Sequence, residues 1–207
     1  GGKSFYPFLR IKVWHIFSAA LIVLTLLSFL LFRQRTRAVS FSVFTTGFSG
    51  MSFVLTAILA YQSLHGYVYE MIGILSASFM IGLWAGTSAT KTVRKPLKTL
   101  FLLEVCTLFL AALSLFLFKS DLILYFLVFC AGLISGAQFS TANLSIGEPT
   151  DGGRLYALDL FGSFLGALIS SLIIIPLFGI PSALLLIAMI KAFSSMMILS
   201  LRPFYTH

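Results

Sequence analysis

Four ionisable side chains, Glu70, Glu104, Asp159 and Lys191, fall inside long apolar stretches rather than in polar links. A charge at the centre of a hydrocarbon layer costs about 2.5–3.5 kcal/mol on insertion scales. Each therefore calls for a partner, an interfacial position, or a role in handling a proton or a solute. Glu70 and Asp159 stand roughly one turn into their apolar runs, where the N-terminal end of a helix favours an anion. Glu104 lies about two turns into its run, on a lysine-rich side where Lys95 or Lys98 is the expected partner. Lys191 is nearer the middle of the last run and is harder to account for; structural pairing or snorkelling of its long stem is the expected explanation, ahead of a substrate or proton role. Gln138 and Asn143 add neutral polar groups of the kind that hydrogen-bond between helices more often than they contact ligands.

Other chemistries find little support. Cys106 and Cys130 both fall in apolar runs, with no further cysteine or histidine at a metal-ligand spacing, and read as core thiols. His15, His65 and His207 lie at or near the ends of runs, so no pair is placed to ligate a haem. The link from Ser145 to Arg154 contains Glu148, Asp151, Gly152 and Gly153; it reads as a turn-rich surface loop rather than a metal site. No catalytic residue, cofactor or metal is expected.

The chain that carries these groups is 59% hydrophobic and only 10% charged over 207 residues, with a mean hydropathy of +1.04. Too few charges exist to coat a water-soluble surface, so lipid is the expected solvent. The formal net charge of +8 comes from short basic clusters between apolar runs, which argues for membrane topology and against a nucleic-acid face.

A spanning helix needs about 20 mostly apolar residues. Seven stretches meet or approach that length, at about 11–32, 40–64, 67–90, 98–118, 121–143, 155–178 and 181–201. The second and third are split only around Gly66, and the last two only at Gly179 to Pro181, which predicts tight helical hairpins. The fold class is thus an all-α integral membrane protein of about seven transmembrane helices. Residues 1–38 form a linker and leading helix, and 39–207 a six-helix domain. The opening GGKSFYPFLRIKVWH reads as a linker rather than a natural start.

Three stretches carry small residues at every fourth position: Ser78, Gly82 and Gly86; Gly132, Gly136 and Ser140; Gly162, Gly166 and Ser170. That spacing puts each set on one helix face and lets backbones approach closely, so these faces are expected to point into the bundle. Nine basic residues (Arg33, Arg35, Arg37, Lys91, Arg94, Lys95, Lys98, Arg154, Arg202) lie on one side of this layout and four (Lys3, Arg10, Lys12, Lys119) on the other. The positive-inside rule places the first set in the cytoplasm, with the N-terminus outside and the C-terminus inside a plasma (inner) membrane.

Two segments, GFSGMSFVLTAILAYQSLHGYVYEMIGILSASFMIGLWAG from Gly47 and GGRLYALDLFGSFLGALISSLIIIPLFG from Gly152, carry a likeness to a family. They resemble the membrane portion of the spermidine synthase-like (polyamine aminopropyltransferase) proteins, whose helical part is related to one half of a major facilitator transporter. The likeness runs from Ser40 to about Arg202, strongest in LYALDLFGSFLGA. Lys91, Arg94 and Lys95 before Pro96 look like a degenerate form of the loop between the first two helices of such a half. The family pattern carries a glutamate where this chain has Val54, so no polar role is expected there. The resemblance implies one six-helix half plus a leading helix. Family members often carry an aminopropyltransferase domain with a glycine-rich turn, and nothing of that kind is found here, neither GxGxxG after a strand nor a βαβ alternation.

Three functions follow as expectations. The first is a structural or assembly subunit, or an anchor domain, that contacts lipid and other membrane subunits and has no catalytic site of its own. The second is a transporter-like half that moves a small solute such as a polyamine and needs a second half. The third is the anchor of an aminopropyltransferase domain outside this chain.

Overall fold

A computed structural model describes residues 35–66, 69–90, 93–117, 121–146 and 151–201. The first apolar stretch, at 11–32, lies outside the described residues, as do Lys3, Arg10, Lys12, Arg33, Lys91, Lys119 and Arg202 of the topology argument. The described chain is helical throughout: α1 (Arg35–His65), α2 (Tyr69–Ala89), α3 (Pro96–Leu117), α4 (Asp121–Ile146), α5 (Asp151–Ile169), a π-helical turn (Ser170–Ile174), α6 (Ile175–Phe178) and α7 (Ile180–Leu199). Taking α5 through α6 as one continuous span, six helices are long and apolar enough to cross a membrane.

Helices exceed the apolar counts at several ends because backbone pairing continues past the hydrocarbon layer. α1 begins at Arg35 and α4 runs to Ile146. α5 begins at Asp151, so Gly152 and Gly153 are helical and the link expected from Ser145 to Arg154 shrinks to a few residues. Both hairpins turn on glycines in the left-handed region, Gly66 at φ 76° and Gly179 at φ 82°, which side-chain-bearing residues rarely adopt. Gly179 is followed by Pro181 in the first turn of α7, where a missing N–H is harmless. Pro176 interrupts the preceding span in the same way, and the π-helical turn directly before it absorbs the disrupted ladder.

α1 is the most enclosed element: seven of its hydroxyl residues (Ser40, Ser42, Thr45, Thr46, Ser49, Ser52 and Thr56) are buried. Hydrocarbon offers no partner for a hydroxyl, and several bond back to their own helix. Thr45 and Thr46 donate to the Ser42 carbonyl, Ser49 to that of Thr46, and Thr56 to that of Ser52.

The packing has a repeated plan. α2 packs closely on α4 and α1 on α5; α3 meets α4 and α7 meets α1; α1 touches α4 and α3 touches α7. Exchanging α1, α2 and α3 for α4, α5 and α7 maps every one of these pairs onto another in the set or onto itself. Glycines fix the register. A Cβ at Gly82 or Gly86 would run into the carbonyls of Phe129 or Leu133 on α4, and one at Gly162 or Gly166 into those of Phe44 or Phe48 on α1. In the reverse sense Gly132 meets the Phe79 carbonyl and Gly47 that of Asp159. Phe44, Gly47 and Phe48 therefore stand to Phe129, Gly132 and Leu133 at one constant offset. Extending it pairs Gly50 with Ser135, and these two face each other: a Cβ on Gly50 would lie 3.3 Å from Ser135 Oγ. Mates that touch lie on a two-fold axis. Each repeat holds three alternating spans, so mated helices run antiparallel and the axis lies in the membrane plane.

Two apolar clusters fill the bundle. One joins Phe53, Ala57, Tyr61, Leu75, Phe79, Leu110, Leu124, Val128, Leu184 and Ile187. The other joins Val39, Val43, Leu97, Leu100, Ala142, Leu155, Met197 and Ile198. A polar layer separates them.

Candidate functional site

The polar layer is built from one level of four helices. α1 contributes Ser42 and Thr46, α3 contributes Glu104 and Thr107, α4 contributes Gln138, and α7 contributes Lys191 and Ser194. Each is buried, and Lys191 and Glu104 have 0% of their surface exposed. The Lys191 ammonium lies 3.2 Å from Glu104 Oε2. It also donates to Thr46 Oγ1 at 2.9 Å and to Gln138 Oε1 at 3.2 Å. An ammonium has three hydrogens, and three acceptors from three different helices surround it.

The acceptors are themselves held. Glu104 Oε1 accepts from Ser42 Oγ at 2.5 Å and from Ser194 Oγ at 3.1 Å. The Gln138 amide donates to Thr107 Oγ1 at 3.0 Å, and Thr107 in turn donates to the Leu103 carbonyl. The single Thr46 hydroxyl hydrogen has two acceptors in reach, the Ser42 carbonyl at 2.8 Å and Gln138 Oε1 at 3.0 Å. Glu104 Oε2 takes no hydrogen bond from a neutral donor among the described residues; the ammonium is what it faces. One positive and one negative charge, each desolvated, balance within the layer. Low polarity strengthens their attraction but makes removal of either partner costly.

This differs from the arrangement expected for the two charges. Glu104 is not paired with Lys95 or Lys98, which are exposed at the start of α3. Lys191 does not snorkel; its stem is enclosed and its head is spent inside the bundle. The reason is adjacency: α3 and α7 are neighbours, which places the two residues face to face at the same depth.

Asp159 stands apart from the pair but not beyond its field. It is half-buried on α5, against α1. A Cβ on Gly47 would lie 2.9 Å from Asp159 Oδ1, so the absence of a side chain there opens the notch that holds the carboxylate. Thr46, the ammonium's neighbour, is the adjacent residue on α1, and Asp159 and Lys191 interact electrostatically. Asp159 has no hydrogen bond or ion pair among the described residues. Glu70 is exposed at the start of α2, remote from the layer, and Asn143 is exposed on α4. Of the six polar residues singled out in the sequence, then, Glu104, Gln138 and Lys191 come together, Asp159 borders them, and Glu70 and Asn143 do not join.

Ser42, Thr46, Thr107 and Ser194 had no individual mark in the sequence; the density of hydroxyls on α1 was the available signal. Of the small-residue sets, Gly82 and Gly86 interlock with Gly132 and Gly136, with Ser78 and Ser140 half-buried at their flanks. Gly162 and Gly166 lie on α1, and Ser170 donates to Ser52 Oγ at 2.9 Å. Among the described residues no group of three or more histidine, cysteine or carboxylate side chains is placed to hold a metal ion.

No protein-family model, curated protein or solved structure matches the chain. What can be concluded about its class is therefore what the helices establish: an all-α, membrane-embedded bundle.

Proposed function

We propose that this chain is a structural and assembly module, a non-catalytic anchor domain of the kind found in spermidine synthase-like membrane proteins, built on one major-facilitator-like half. The observation that carries this reading is the sealed layer. Lys191 and Glu104 neutralise each other and are closed to both faces of the bundle, as suits a scaffold that must hold its shape in lipid. The outer surface is apolar, with Ile72, Met80, Ile81 and Trp84 exposed on α2 and Phe161, Phe164 and Leu168 on α5. Such faces suit lipid or the helices of other subunits.

In this proposal the leading stretch at 11–32 is a seventh span, the N-terminus lies outside a plasma (inner) membrane and the C-terminus lies in the cytoplasm. Purification in mild detergent tests the assembly role, with stoichiometric co-purification of further membrane subunits as the expected outcome. A homogeneous chain free of partners would overturn it. A reporter fused at the C-terminus, active only in the cytoplasm, tests the topology.

A second reading, a transporter-like half acting with a missing partner half, is favoured by one specific observation. The packing maps onto itself under exchange of two three-helix repeats, an arrangement used by membrane transporters for alternating access. Uptake of a small solute such as a polyamine by liposomes holding the chain and its co-purified partner would support it.

A further inference from the structure

We propose that Glu104 and Asp159 are alternative seats for the single ammonium of Lys191, and that together they bind one proton at membrane depth, carried by whichever carboxylate the ammonium has left. This stands independently of the choice between scaffold and transporter half.

The argument starts from charge balance. Two carboxylates and one ammonium share a region of low polarity, so the group as a whole carries one negative charge unless a proton joins it. An unpaired charge in such surroundings is neutralised rather than tolerated. With Lys191 seated on Glu104, as observed, Asp159 is the carboxylate without a partner. The proton therefore belongs to Asp159.

The alternative seat has geometric support on both sides. Thr46 and Gly47 are consecutive on α1: the first accepts from the ammonium, and the second lacks the side chain that would displace the Asp159 carboxylate. A lysine side chain is a flexible four-carbon stem, able to swing its ammonium about a neighbouring acceptor such as Thr46. On the other side, Glu104 Oε2 has no neutral donor and is the oxygen free to take a proton once the ammonium leaves, while Ser42 and Ser194 continue to hold Oε1.

The exchange balances. The O–H bond at an Asp159 oxygen breaks, an O–H bond at Glu104 Oε2 forms, and Lys191 remains an ammonium throughout, moving opposite to the proton. Net charge is zero before and after. Among the described residues the other elements bring no competing charge to this level: α1 offers Ser42 and Thr46, and α4 offers Gln138. Cys130 of α4 packs against the apolar cluster instead, and Tyr61 lies in that same cluster. His65 is at the end of α1 and Glu70 at the start of α2.

Infrared spectroscopy of the chain in lipid nanodiscs at neutral pH tests this through the carbonyl stretch of protonated carboxyls. The sequence has only six Asp and Glu residues in all, which keeps the spectrum assignable. Wild type is expected to show one buried protonated-carboxyl band, and Asp159→Asn to lose it. The decisive variant is Glu104→Gln: Lys191 then moves to Asp159, which ionises, and the band disappears although Asp159 is intact. Lys191→Met, which leaves both carboxyls neutral, is expected to give two bands. A static Lys191–Glu104 pair predicts instead that the band survives in Glu104→Gln. That result, or a wild type without any band, overturns the proposal. The Glu104→Gln and Asp159→Asn comparison decides the matter even where Lys191→Met fails to fold.

Discussion

In the seam between α2 and α4, Gly82 and Gly86 meet Gly132 and Gly136 beside Phe79, and the contacts continue into an apolar cluster. In the seam between α1 and α5, Gly162 and Gly166 meet the Phe44 and Phe48 backbone in the same register, but Asp159 stands at the position equivalent to Phe79. Thr46 likewise stands where α4 has Ala131. Backbone approach through glycine is common to both seams, whereas a carboxylate stands in only one; the other has hydroxyl contacts alone, Thr87 donating to the Gly136 carbonyl and Tyr125 to Met71 Sδ. Helix geometry is thus set by residues that contribute no side chain, which leaves the residues one turn away free to differ. The polar seam borders the buried ion pair; the apolar seam holds the other flank of the bundle.

The sharpest way to break this comparison is to unbalance the charged layer next to the polar seam. Glu104→Ala or Lys191→Ala, each leaving one buried charge unpaired, is expected to destabilise the bundle by about 3–5 kcal/mol. The Glu104→Gln/Lys191→Met double variant should lose less than the sum of the two alanine variants. Unfolding in a denaturing detergent, read by circular dichroism, measures all three.

Next in size are the glycines. Gly86→Val and Gly166→Val are each expected to cost about 1–3 kcal/mol or more, because the added carbons meet backbone and cannot be accommodated without shifting a helix. Equal losses at the two sites would confirm that the seams share one geometry, and a loss at only one would break the equivalence. Gly73, with nothing within 4 Å of an added Cβ, is the control: Gly73→Ala should be neutral or mildly stabilising.

Thr46→Val removes a buried acceptor of the ammonium while keeping the shape, and is expected to cost about 1–3 kcal/mol. The same probe at Ser52, which bonds Ser170 and the Gly166 carbonyl across the polar seam, should show less. Ser52→Ala is expected to cost about 0.6 kcal/mol, the average for hydrogen bonds between membrane helices. Thermal unfolding in the same detergent ranks the two.

Six of the seven expected spans, those among the described residues, were readable because length and apolarity are local properties, and the hairpins at Gly66 and Gly179 because few residues adopt a left-handed φ. The glycine spacing likewise marked the faces of α2, α4 and α5. Partnerships were not readable. Lys95 and Lys98 are near Glu104 in sequence, yet Lys191 reaches it, because the neighbourhood of α3 and α7 is decided by the packing of all six helices. The hydroxyls of α1 escaped notice for a different reason. Serine and threonine satisfy themselves on their own helix, so Thr46 and Ser42, which also serve Lys191 and Glu104, look no different in sequence from Thr45 and Ser49, for which no bond beyond their own helix is seen. The two-fold plan leaves a trace beyond the glycines at mates such as Val43 and Val128, Phe44 and Phe129, Ala57 and Ala142, and Leu75 and Leu155, but it is diluted by mates such as Asp159 and Phe79, which share a place and not a chemistry.

The placement of Glu104 on α3 and Lys191 on α7 has a consequence for biogenesis. A chain made from its N-terminus commits the acid to the membrane well before the base emerges, and until then Glu104 has only the Ser42 hydroxyl of its observed partners, since Ser194 arrives with Lys191. Synthesis of α7 supplies the missing countercharge, so the ion pair reports that α3 and α7 have met. A product truncated before α7 leaves the Glu104 carboxylate without its countercharge.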